Sequence, residues 1–555
     1  MPSDGQAGAP GSKAPGAHGA EPAAVQARAP GAERSGARAC ASGPQRIYIT
    51  TPLYYVNAEP HLGSAYTILI CDTIARFYRQ RGTDVFFLTG TDEHGDKIAQ
   101  AAAAAGEAPK NHADRISATF RTTWETCGLT YDRFIRTTDP DHVRTVQEIL
   151  LQVHAAGDIY FGSYGGLYCT GCERFYTEKE LVAGLCPDHR TAPEWIEEEN
   201  YFFRMGKYQD RLRAALRAQP ELIRPERYRN EVLAMLREPL EDLCISRPKT
   251  RLNWGIELPF DDRFVTYVWF DALINYVTAV KALGPERFAA LWPVANHFIA
   301  KDILKPHAVF WPTMLMAAGL PLYQHLNVHG YWTVDGEKMS KSLGNVVRPL
   351  DMQARYGMDA FRYVLLRESV FGLDADFREE ALVTRINADL ANNLGNLVSR
   401  TLAMQQRYFG GVVQPRTEIR PEDAALARAY ENAARDVDEQ VHALMLSRAL
   451  EAIWRATDHA NKYVVETAPF TLAKDPAARP RVGAILHNLL EALRVTAQLA
   501  APFLPETAVR IAALLDLPAG ALDLPGPAWG EAFPPGHTVQ PPLALFPRIE
   551  TAAPR

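Results

Sequence analysis

Short apolar runs alternate with helical periodicities along the first two thirds of the chain. The apolar runs predict strands at residues 46–51, 84–89, 296–300 and 326–334. The first helical pattern carries Tyr66, Ile70, Ile74 and Phe77. The second helical pattern passes through residues 98–105. Strands that alternate with helices in this way indicate an α/β fold with a parallel sheet and crossover helices.

The pattern becomes purely helical after Glu380. The apolar positions spaced three or four apart are Leu446, Leu450 and Ile453, and then Val482, Leu486, Leu489 and Leu493. This spacing predicts a separate helical bundle. Residues 1–45 consist mainly of Ala, Gly and Pro, which predicts a disordered tail without the apolar core of a signal peptide. The Pro-rich end, residues 524–547, indicates no further domain.

Composition narrows the class of protein. A chain of 555 residues with 47% hydrophobic residues is long enough for several domains with large cores. No apolar run reaches the roughly 20 residues that a membrane span needs, so we expect no transmembrane segment. The net charge of −6 argues against a surface covered in nucleic-acid contacts, although a local basic patch would be enough to bind RNA.

Two short polar segments indicate a nucleotide site. Residues 60–64 (PHLGS) follow the first predicted strand and open the first predicted helix. His61 and the free backbone amides of such a helix N-terminus can hold negative charge. Much later in the chain, residues 335–342 (DGEKMSKS) place Lys338 and Lys341 three apart beside small residues. A mobile cationic loop facing a helix N-terminus can stabilise displacement at a phosphorus atom.

Further polar segments follow two of the predicted strands. Residues 91–95 (TDEHG) and the pair Lys301-Asp302 lie just beyond apolar runs. Ligands of open parallel sheets bind outside the carboxyl ends of the strands. These residues are therefore candidates for the same site.

The cysteines predict a metal site. Their number, seven, is odd, and no secretion signal precedes them, so a disulfide set is disfavoured. Cys169 and Cys172 are followed after thirteen residues by Cys186 and His189, a second pair with the same two-residue gap. Four such ligands would close a tetrahedron around one structural zinc ion. The alternative is that Cys186 is a core thiol and His189 a surface histidine.

The two polar segments resemble the HIGH and KMSKS motifs of class I aminoacyl-tRNA synthetases, with KMSKS unchanged at residues 338–342 and Ser64 where many members have a second histidine. Within that class the chain is similar to methionyl-tRNA synthetases from residue 47 to about residue 503. The likeness is dense at residues 50–57 (TTPLYYVN), 87–95 (FLTGTDEHG), 267–272 (YVWFDA) and 386–390 (INADL). It is greatest to the compact bacterial type with a single zinc knuckle.

The resemblance implies an architecture. A Rossmann-type nucleotide-binding parallel sheet is split by a connective insertion with the zinc knuckle, and an all-α anticodon-binding bundle follows. The implied bounds are residues 46–145 and 251–335 for the two halves of the catalytic domain, 146–250 for the insertion, 336–385 for the KMSKS loop and stem-contact region, and 386–520 for the anticodon-binding domain, with tails at 1–45 and 521–555.

The resemblance also implies a function. Methionine would react with ATP, accompanied by Mg²⁺, to give methionyl-adenylate and pyrophosphate. The methionyl group would then pass to the 2′-hydroxyl of the terminal adenosine of initiator and elongator tRNA(Met). A cytoplasmic monomer without membrane contact is the implied state, because nothing resembling the C-terminal dimerisation domain of longer members follows the bundle.

Residue by residue, the resemblance implies four sets of contacts. The catalytic residues would be His61, Ser64, Lys338 and Lys341, and the ATP contacts would add Gly63, Lys301, Asp302, His329 and Gly330. The methionine pocket falls on Leu53, Tyr55, Asp92, Trp269, Ala272, Leu273, Tyr276 and His307. The zinc ligands are Cys169, Cys172, Cys186 and His189. The anticodon contacts are Asn396, Arg400 and Phe470, with Phe470 where many members have Trp.

The pocket chemistry is consistent with methionine. Aromatic walls such as Trp269 and Tyr276 offer contacts to a thioether sulfur, and Asp92 can pair with the substrate ammonium. Pro306 stands where many members have an aromatic residue, which changes one pocket wall. The residues alone leave Trp269 open to being a core residue. Arg247 matches a position near the active site in the family, and the alternative is that it lies on the surface.

Three other interpretations stay open. A different ATP-dependent adenylating enzyme would share the nucleotide site, but the zinc knuckle and Trp269 argue against it. A noncatalytic tRNA-binding paralogue would share the fold, but His61, Asp92, Lys338 and Lys341 are intact. A zinc-dependent nucleic-acid-binding module would explain residues 168–189 and leave the rest of the chain without a role.

Overall fold

A parallel sheet lies at the centre of the first two thirds of the protein. The computed structural model describes residues 45–170, 174–176, 178–187, 190–339 and 344–550. Within these ranges the sheet has seven strands, β1 (Arg46–Thr50), β2 (Tyr54–Tyr55), β3 (Asp84–Asp92), β4 (Arg133–Arg136), β5 (Ile223–Arg224), β6 (Ala295–Ala300) and β7 (His325–His329). Hydrogen-bonded neighbours follow the order β2-β3-β1-β6-β7-β5, and β4 also pairs with β3. Each of these pairs is parallel, so the predicted sheet type is confirmed.

Alternate residues of β1 contact two different cores, because successive side chains of a strand point to opposite faces. Ile47 and Ile49 belong to the core that also contains the first helix, α1 (Leu62–Gln80), and the C-terminal bundle. Tyr48 belongs to the core on the other face, and its hydroxyl donates to the carbonyl of Tyr276 at 2.8 Å. The central strand is therefore buried on both faces, as in a doubly wound sheet.

The helices of the first two thirds match the predicted periodicity. The predicted apolar positions of α1 are all buried, and the second predicted helix is Asp96–Ala105. The other helices before residue 380 are Pro109–Thr126, Pro140–Ala155, Gln209–Ala218, Glu226–Met235, Val268–Ala272, Asn275–Lys281, Pro285–Leu291, Trp311–Ala317, Pro349–Tyr356, Met358–Glu368 and, across the boundary, Glu379–Arg385. Short 3-10 turns are Glu178–Glu180, Met205–Tyr208, Pro220–Leu222, Trp292–Val294 and Lys301–Ile303, and a π-helical turn spans Pro306–Phe310.

One predicted strand, residues 326–334, is partly wrong. The strand β7 ends at His329, and Trp332–Val334 leaves the main sheet to pair with Ala375–Phe377 and Glu337–Lys338. The break lies at Gly330, where an added Cβ would be only 2.3 Å from the carbonyl carbon and oxygen of Leu373. A distant segment crosses the backbone at this point, and the sequence near Gly330 does not show that contact.

The connective insertion forms its own antiparallel sheet. Its four strands within the described ranges are Ile159–Cys169, Arg174–Tyr176, Glu194–Phe203 and Leu243–Cys244. A three-stranded antiparallel sheet of Ser246–Pro248, Glu257–Leu258 and Asp261–Thr266 follows. Between Glu194–Phe203 and Leu243–Cys244, the chain supplies β5 to the edge of the main sheet, where Ile223 pairs with Leu326.

The chain after residue 380 is helical, as predicted. A π-helical segment, Ile386–Gly395, leads into the helices Asn396–Phe409, Pro421–His442, Leu446–Thr467, Pro469–Leu472, Arg479–Ala500 and Pro505–Leu514, with a 3-10 turn at Pro476–Ala478. Phe533, Val539 and Leu545 of the Pro-rich end are buried in the same core as this bundle. No helix among the described residues has the length and apolarity needed to cross a membrane.

Candidate active site

The carboxyl ends of β1, β3, β6 and β7 meet at a cavity of about 610 Å³. All eight residues predicted for methionine lie on its wall, namely Leu53, Tyr55, Asp92, Trp269, Ala272, Leu273, Tyr276 and His307. Of the residues predicted for ATP, the wall includes His61, Gly63, Ser64, Asp302, His329 and Gly330. Segments far apart in sequence therefore line one cavity, at the sheet edge where ligands of such folds bind.

His61 caps the N-terminus of α1 on this wall. Its backbone N–H donates to Ser64 Oγ at 3.0 Å, and Ser64 Oγ donates to the carbonyl of His61 at 2.8 Å. The Gly63 N–H donates to His61 Nδ1 at 3.1 Å, so the neutral imidazole carries its proton on Nε2. Burial lowers the pKa of His61. An added Cβ at Gly63 would lie 3.0 Å from the imidazole, so glycine permits this close turn.

His329 is a second neutral imidazole beside α1. Its Nδ1 donates to the carbonyl of Gly330 at 2.7 Å, and its Nε2 accepts from Thr67 Oγ1 at 2.8 Å. Burial lowers its pKa to about 4. The ring packs edge-on against Tyr66 with centroids 5.0 Å apart. Both nitrogens are thus used inside the protein, which fixes the ring in the wall.

His307 and Tyr276 form the deep end of the cavity. His307 Nδ1 donates to the carbonyl of Ile303 at 2.9 Å, which leaves Nε2 to accept from the Tyr276 hydroxyl at 2.8 Å. Burial lowers the pKa of His307 to about 4, so this imidazole is neutral at pH 7. The Trp269 ring lies edge-on to His307 with centroids 6.2 Å apart. The result is an aromatic, uncharged wall suited to an apolar, polarizable group.

Asp92 places a carboxylate in the same cavity. It is the last residue of β3, is 3% exposed and pairs in register with Tyr55 of β2. A nearly buried carboxylate favours a cationic ligand, because a charge in a low-dielectric site interacts strongly with an opposite charge. The cavity therefore combines an acidic contact with an aromatic wall. Together these fit the ammonium and side chain of an apolar amino acid.

Lys301 is not among the residues that line the cavity, although its neighbours Ala300 and Asp302 are. Its Nζ donates to Asp374 Oδ2 at 2.6 Å and lies 4.6 Å from the ring centroid of Tyr331. Tyr331 itself lines the cavity, as does Lys97, which stands 5.2 Å above the Tyr55 ring. The sequence reasoning missed both Tyr331 and Lys97. Lys97 lies two residues after the polar segment 91–95, and this proximity is the sequence signal that could have identified it.

The KMSKS segment is described in part. Lys341 lies outside the described residues with Ser340 and Ser342, and Lys338 is described only as part of the strand Glu337–Lys338. Met339 lines the cavity, and beyond the gap the Val347 carbonyl accepts from the Leu62 N–H at 2.9 Å. The chain on both sides of the segment therefore adjoins the N-terminus of α1.

The predicted zinc ligands are also described in part. Cys172 and His189 lie outside the described residues. Cys169 and Cys186 are each 1% exposed and share one small core with Tyr176, whose hydroxyl is 3.5 Å from Cys186 Sγ. No group of three metal-ligating side chains occurs among the residues that the structure describes.

The remaining predicted residues are Arg247, which is buried, and the three predicted anticodon contacts, which are exposed. Arg247 is 2% exposed, with Tyr168 and Tyr267 ring centroids 5.3 and 4.7 Å from its guanidinium, so it is not a surface residue. Asn396 and Arg400 are exposed on one helix, and Phe470 is 53% exposed. Arg400 bonds Asn461, which is on the helix just before Phe470.

Comparisons with known proteins agree with this geometry. A family model described as "tRNA synthetases class I (M)" matches residues 47–192 and 188–402, and one described as "Anticodon binding domain of methionyl tRNA ligase" matches residues 414–554. The methionine–tRNA ligase of Clostridium perfringens is 48% identical over 84% of this chain and 73% of its own length. That of Deinococcus radiodurans is 45% identical over 92% of this chain and 75% of its own length.

A solved structure is similar over most of this chain. Mycobacterium tuberculosis methionyl-tRNA synthetase in complex with methionyl-adenylate has a TM-score of 0.87 at 43% identity, covering 91% of this chain and 100% of that chain. The cavity, the His61 motif at the start of α1 and the helical bundle thus occur in one chain that is similar to methionine–tRNA ligases over most of its length. On this combined basis, the chain belongs to the methionyl-tRNA synthetase family.

Proposed function

We propose that this protein is a methionine–tRNA ligase, which activates L-methionine with ATP and transfers the methionyl group to tRNA(Met). The observation that carries the proposal is one cavity in which Asp92 and the Tyr276–His307 pair lie beside the capped N-terminus of α1. An amino-acid site and a phosphate site are thus adjacent. The family relationship supplies the identity of both substrates.

Methionine would bind with its ammonium group at Asp92 and its thioether toward Trp269 and Tyr276. The carboxylate of Asp92 can form a charge-assisted hydrogen bond with the ammonium. The aromatic wall gives the sulfur favourable contacts at a ring edge. Because His307 is neutral, it adds no charge that would favour a polar side chain over the thioether.

In the first step the methionine carboxylate attacks the α-phosphorus of ATP, and pyrophosphate leaves. No protein nucleophile is needed, so the protein positions the reactants and stabilises charge. His61 can donate from Nε2 to a phosphate oxygen, and the dipole of α1 adds positive potential at its N-terminus. Lys338 and Lys341 would approach the departing pyrophosphate. Mg²⁺ accompanies ATP and neutralises part of the phosphate charge.

In the second step the terminal adenosine of the tRNA attacks the adenylate carbonyl through its 2′-hydroxyl. The anticodon would contact the helical bundle at Asn396, Arg400 and Phe470. An exposed aromatic ring such as that of Phe470 can stack on an unpaired base, and the other two side chains can donate hydrogen bonds. The match of residues 414–554 to a methionyl anticodon-binding domain supports this role.

The finer assignments are part of the same proposal. One structural zinc ion would be held by Cys169, Cys172, Cys186 and His189, and the burial of the first and third cysteines in one core supports it. Such an ion would fix the fold of the knuckle and take no part in the reaction. We also propose a monomer that acts in the cytoplasm, where its tRNA substrate is used.

Amino-acid-dependent ATP–pyrophosphate exchange tests the proposal. The wild type is assayed with each of the twenty standard amino acids, and Lys341→Ala and Asp92→Asn are assayed with methionine. We expect exchange with methionine alone and a large loss in both variants. No exchange with any amino acid, in a folded and zinc-loaded sample, would contradict the proposal and favour a noncatalytic tRNA-binding protein. Exchange with a different amino acid would favour another adenylating enzyme.

A further inference from the structure

A buried carboxylate lies behind the amino-acid site and contacts two histidines. Asp271 has no exposed surface and belongs to the short helix Val268–Ala272. Its Oδ2 is 2.7 Å from His94 Nδ1, and its Oδ1 is 2.7 Å from His142 Nε2. His142 is also fully buried, and His94 is 6% exposed. We call these three residues the His94–Asp271–His142 cluster.

The cluster joins the elements that form the walls of the cavity. His94 lies two residues after Asp92, just beyond the end of β3. Asp271 stands between Trp269 and Ala272, which line the cavity from the same short helix. The cluster itself is absent from the residues that line the cavity. The carboxylate and the aromatic wall of the site are therefore connected through it.

A further bond extends the cluster to the helix that carries Tyr276. His142 Nδ1 is 3.2 Å from Thr278 Oγ1, and Thr278 lies on the helix Asn275–Lys281. His142 itself comes from the helix Pro140–Ala155. Four separate segments are thus connected to the carboxylate of Asp271, either directly or through His142.

The buried charge of Asp271 restricts how far the surrounding segments can move. Burial alone would raise the pKa of Asp271, but the two histidines outweigh it and the pKa is lowered. An ionised carboxylate without exposure requires these hydrogen bonds, because a charge left unpaired in a core is costly. The Trp254 ring packs against His94, with the two ring centroids 5.2 Å apart, and so covers another side of the cluster. The segments therefore cannot shift apart without breaking a bond to a buried charge.

We propose that Asp271 is a positioning residue for methionine, which sets the separation between Asp92 and the Trp269–Tyr276 wall. This inference rests on the proposed function of the site. One small substrate must place its ammonium group at Asp92 and its side chain against the Trp269–Tyr276 wall at the same time. An error of about 1 Å in this separation is therefore enough to weaken binding and catalysis greatly. The ATP side of the cavity, at α1 and β7, has no member of the cluster.

Calorimetric titration of full-length protein with methionine and, separately, with ATP tests the proposal. In Asp271→Asn a single amide oxygen has to replace the two carboxylate oxygens that accept from His94 and His142. In His94→Ala the donor to Asp271 Oδ2 is removed. We expect each variant to raise the Kd for methionine about tenfold or more while the Kd for ATP stays within about twofold. In His94→Asn the side-chain amide nitrogen takes the place of Nδ1, so methionine affinity should recover to within about threefold of the wild type.

Asp423→Asn is the matched control. Asp423 is a buried carboxylate of the helical bundle, bonded to Arg481 at 2.5 Å. Its substitution should lower the melting temperature without changing the Kd for methionine. If Asp271→Asn and His94→Ala behave like this control, the cluster only stabilises the core and the proposal is overturned. If Asp271→Asn does not fold, the comparison of His94→Ala with His94→Asn decides.

The same titrations separate this proposal from the proposed function. Wild-type protein that binds methionine but supports no exchange would refute the ligase activity, whereas the variant Kd values would still test the role of Asp271. Wild-type protein that does not bind methionine would overturn both.

Discussion

Three histidines around the cavity show how single residues set the chemistry of the site. His61, His307 and His329 each have one ring nitrogen committed to a neighbour that fixes the tautomer. Burial lowers the pKa of all three, so they are neutral at pH 7. In the proposed reaction the positive potential for phosphate would therefore come from the α1 N-terminus and from Lys338 and Lys341. The imidazoles serve as oriented dipoles.

Tyr276→Phe should weaken methionine activation. The substitution removes the hydroxyl that donates to His307 Nε2 and leaves a buried lone pair without its donor. Such a loss costs about 1 to 3 kcal/mol, so we expect kcat/KM for methionine to fall roughly tenfold in pyrophosphate exchange.

Tyr323→Phe is the control for this change. The Tyr323 hydroxyl donates to the backbone carbonyl of the same His307 at 3.1 Å and lies away from the cavity wall. It should lower the melting temperature and leave the methionine kinetics unchanged. Equal kinetic losses in both variants would show that the Tyr276 hydroxyl has no specific role at the substrate.

The sequence could predict the elements whose signal is local. The apolar spacing of α1 and of the helices Leu446–Thr467 and Arg479–Ala500 lies within each segment, and the structure has these helices. The strand β5 has only two residues, and the end of β7 is set by Leu373. Neither feature has a local pattern, because contacts from distant segments determine both.

The candidate site also has parts that the sequence could predict and parts that depend on distant segments. The nucleotide motifs were recognisable because their residues are contiguous, as in residues 60–64. Asp92, Trp269 and His307 share one cavity but are far apart in sequence, so the family resemblance was needed to group them. The His94–Asp271–His142 cluster has no sequence signature, since its members come from three separate segments.

Gly90→Ala should destabilise the sheet. Gly90 is within β3 and pairs with Ile135 of β4, and an added Cβ would lie 1.9 Å from the Ile135 carbonyl oxygen. Both strands are held by neighbours, so the strain cannot be relieved by a side-chain rotation. We expect a loss of about 3 kcal/mol or more in the free energy of unfolding, measured by urea denaturation.

Gly162→Ala in the insertion strand Ile159–Cys169 provides the comparison. The closest atom to an added Cβ there is in the Tyr160 ring at 3.4 Å, an ordinary contact. This variant should stay within about 0.5 kcal/mol of the wild type. Similar losses in the two variants would mean that strand propensity, and not the close approach of β3 to β4, determines the effect.

At the scale of the whole molecule, one buried ion pair connects the site helix to the bundle. Arg362 is 1% exposed and donates to Asp72 Oδ2 of α1 at 2.6 Å. It also donates to the carbonyls of Phe503 and Pro502 at 2.9 and 3.1 Å, just after the helix Arg479–Ala500. The helix α1, which His61 caps, is thus bonded to the domain that would read the anticodon. Correct placement of one domain therefore depends on the other.

The stability of the whole molecule should decrease as the pH is lowered from 6.5 toward 4. Burial lowers the pKa of His307 and His329 to about 4 and that of His297 well below its usual value. An unfolded histidine titrates near pH 6.5, so between these values the unfolded chain binds more protons than the folded chain. Lowering the pH in this window therefore favours unfolding, by on the order of 2 kcal/mol per buried histidine at pH 5.

Urea unfolding followed by tryptophan fluorescence between pH 7.5 and 5 measures this dependence. The carboxylates with lowered pKa values, such as Asp72 and Asp271, lose their contribution only at lower pH, so the histidines should dominate in this range. His297→Gln should reduce the slope by about one proton, because His297 is fully buried between Thr50 and Trp311. A stability that is flat from pH 7 to 5, or a slope unchanged in His297→Gln, would contradict neutral burial of these rings. Since His307 and His329 lie on the cavity wall with pKa values of about 4, both stay neutral in the folded protein over this pH range. Methionine activation should therefore decline only as the protein unfolds.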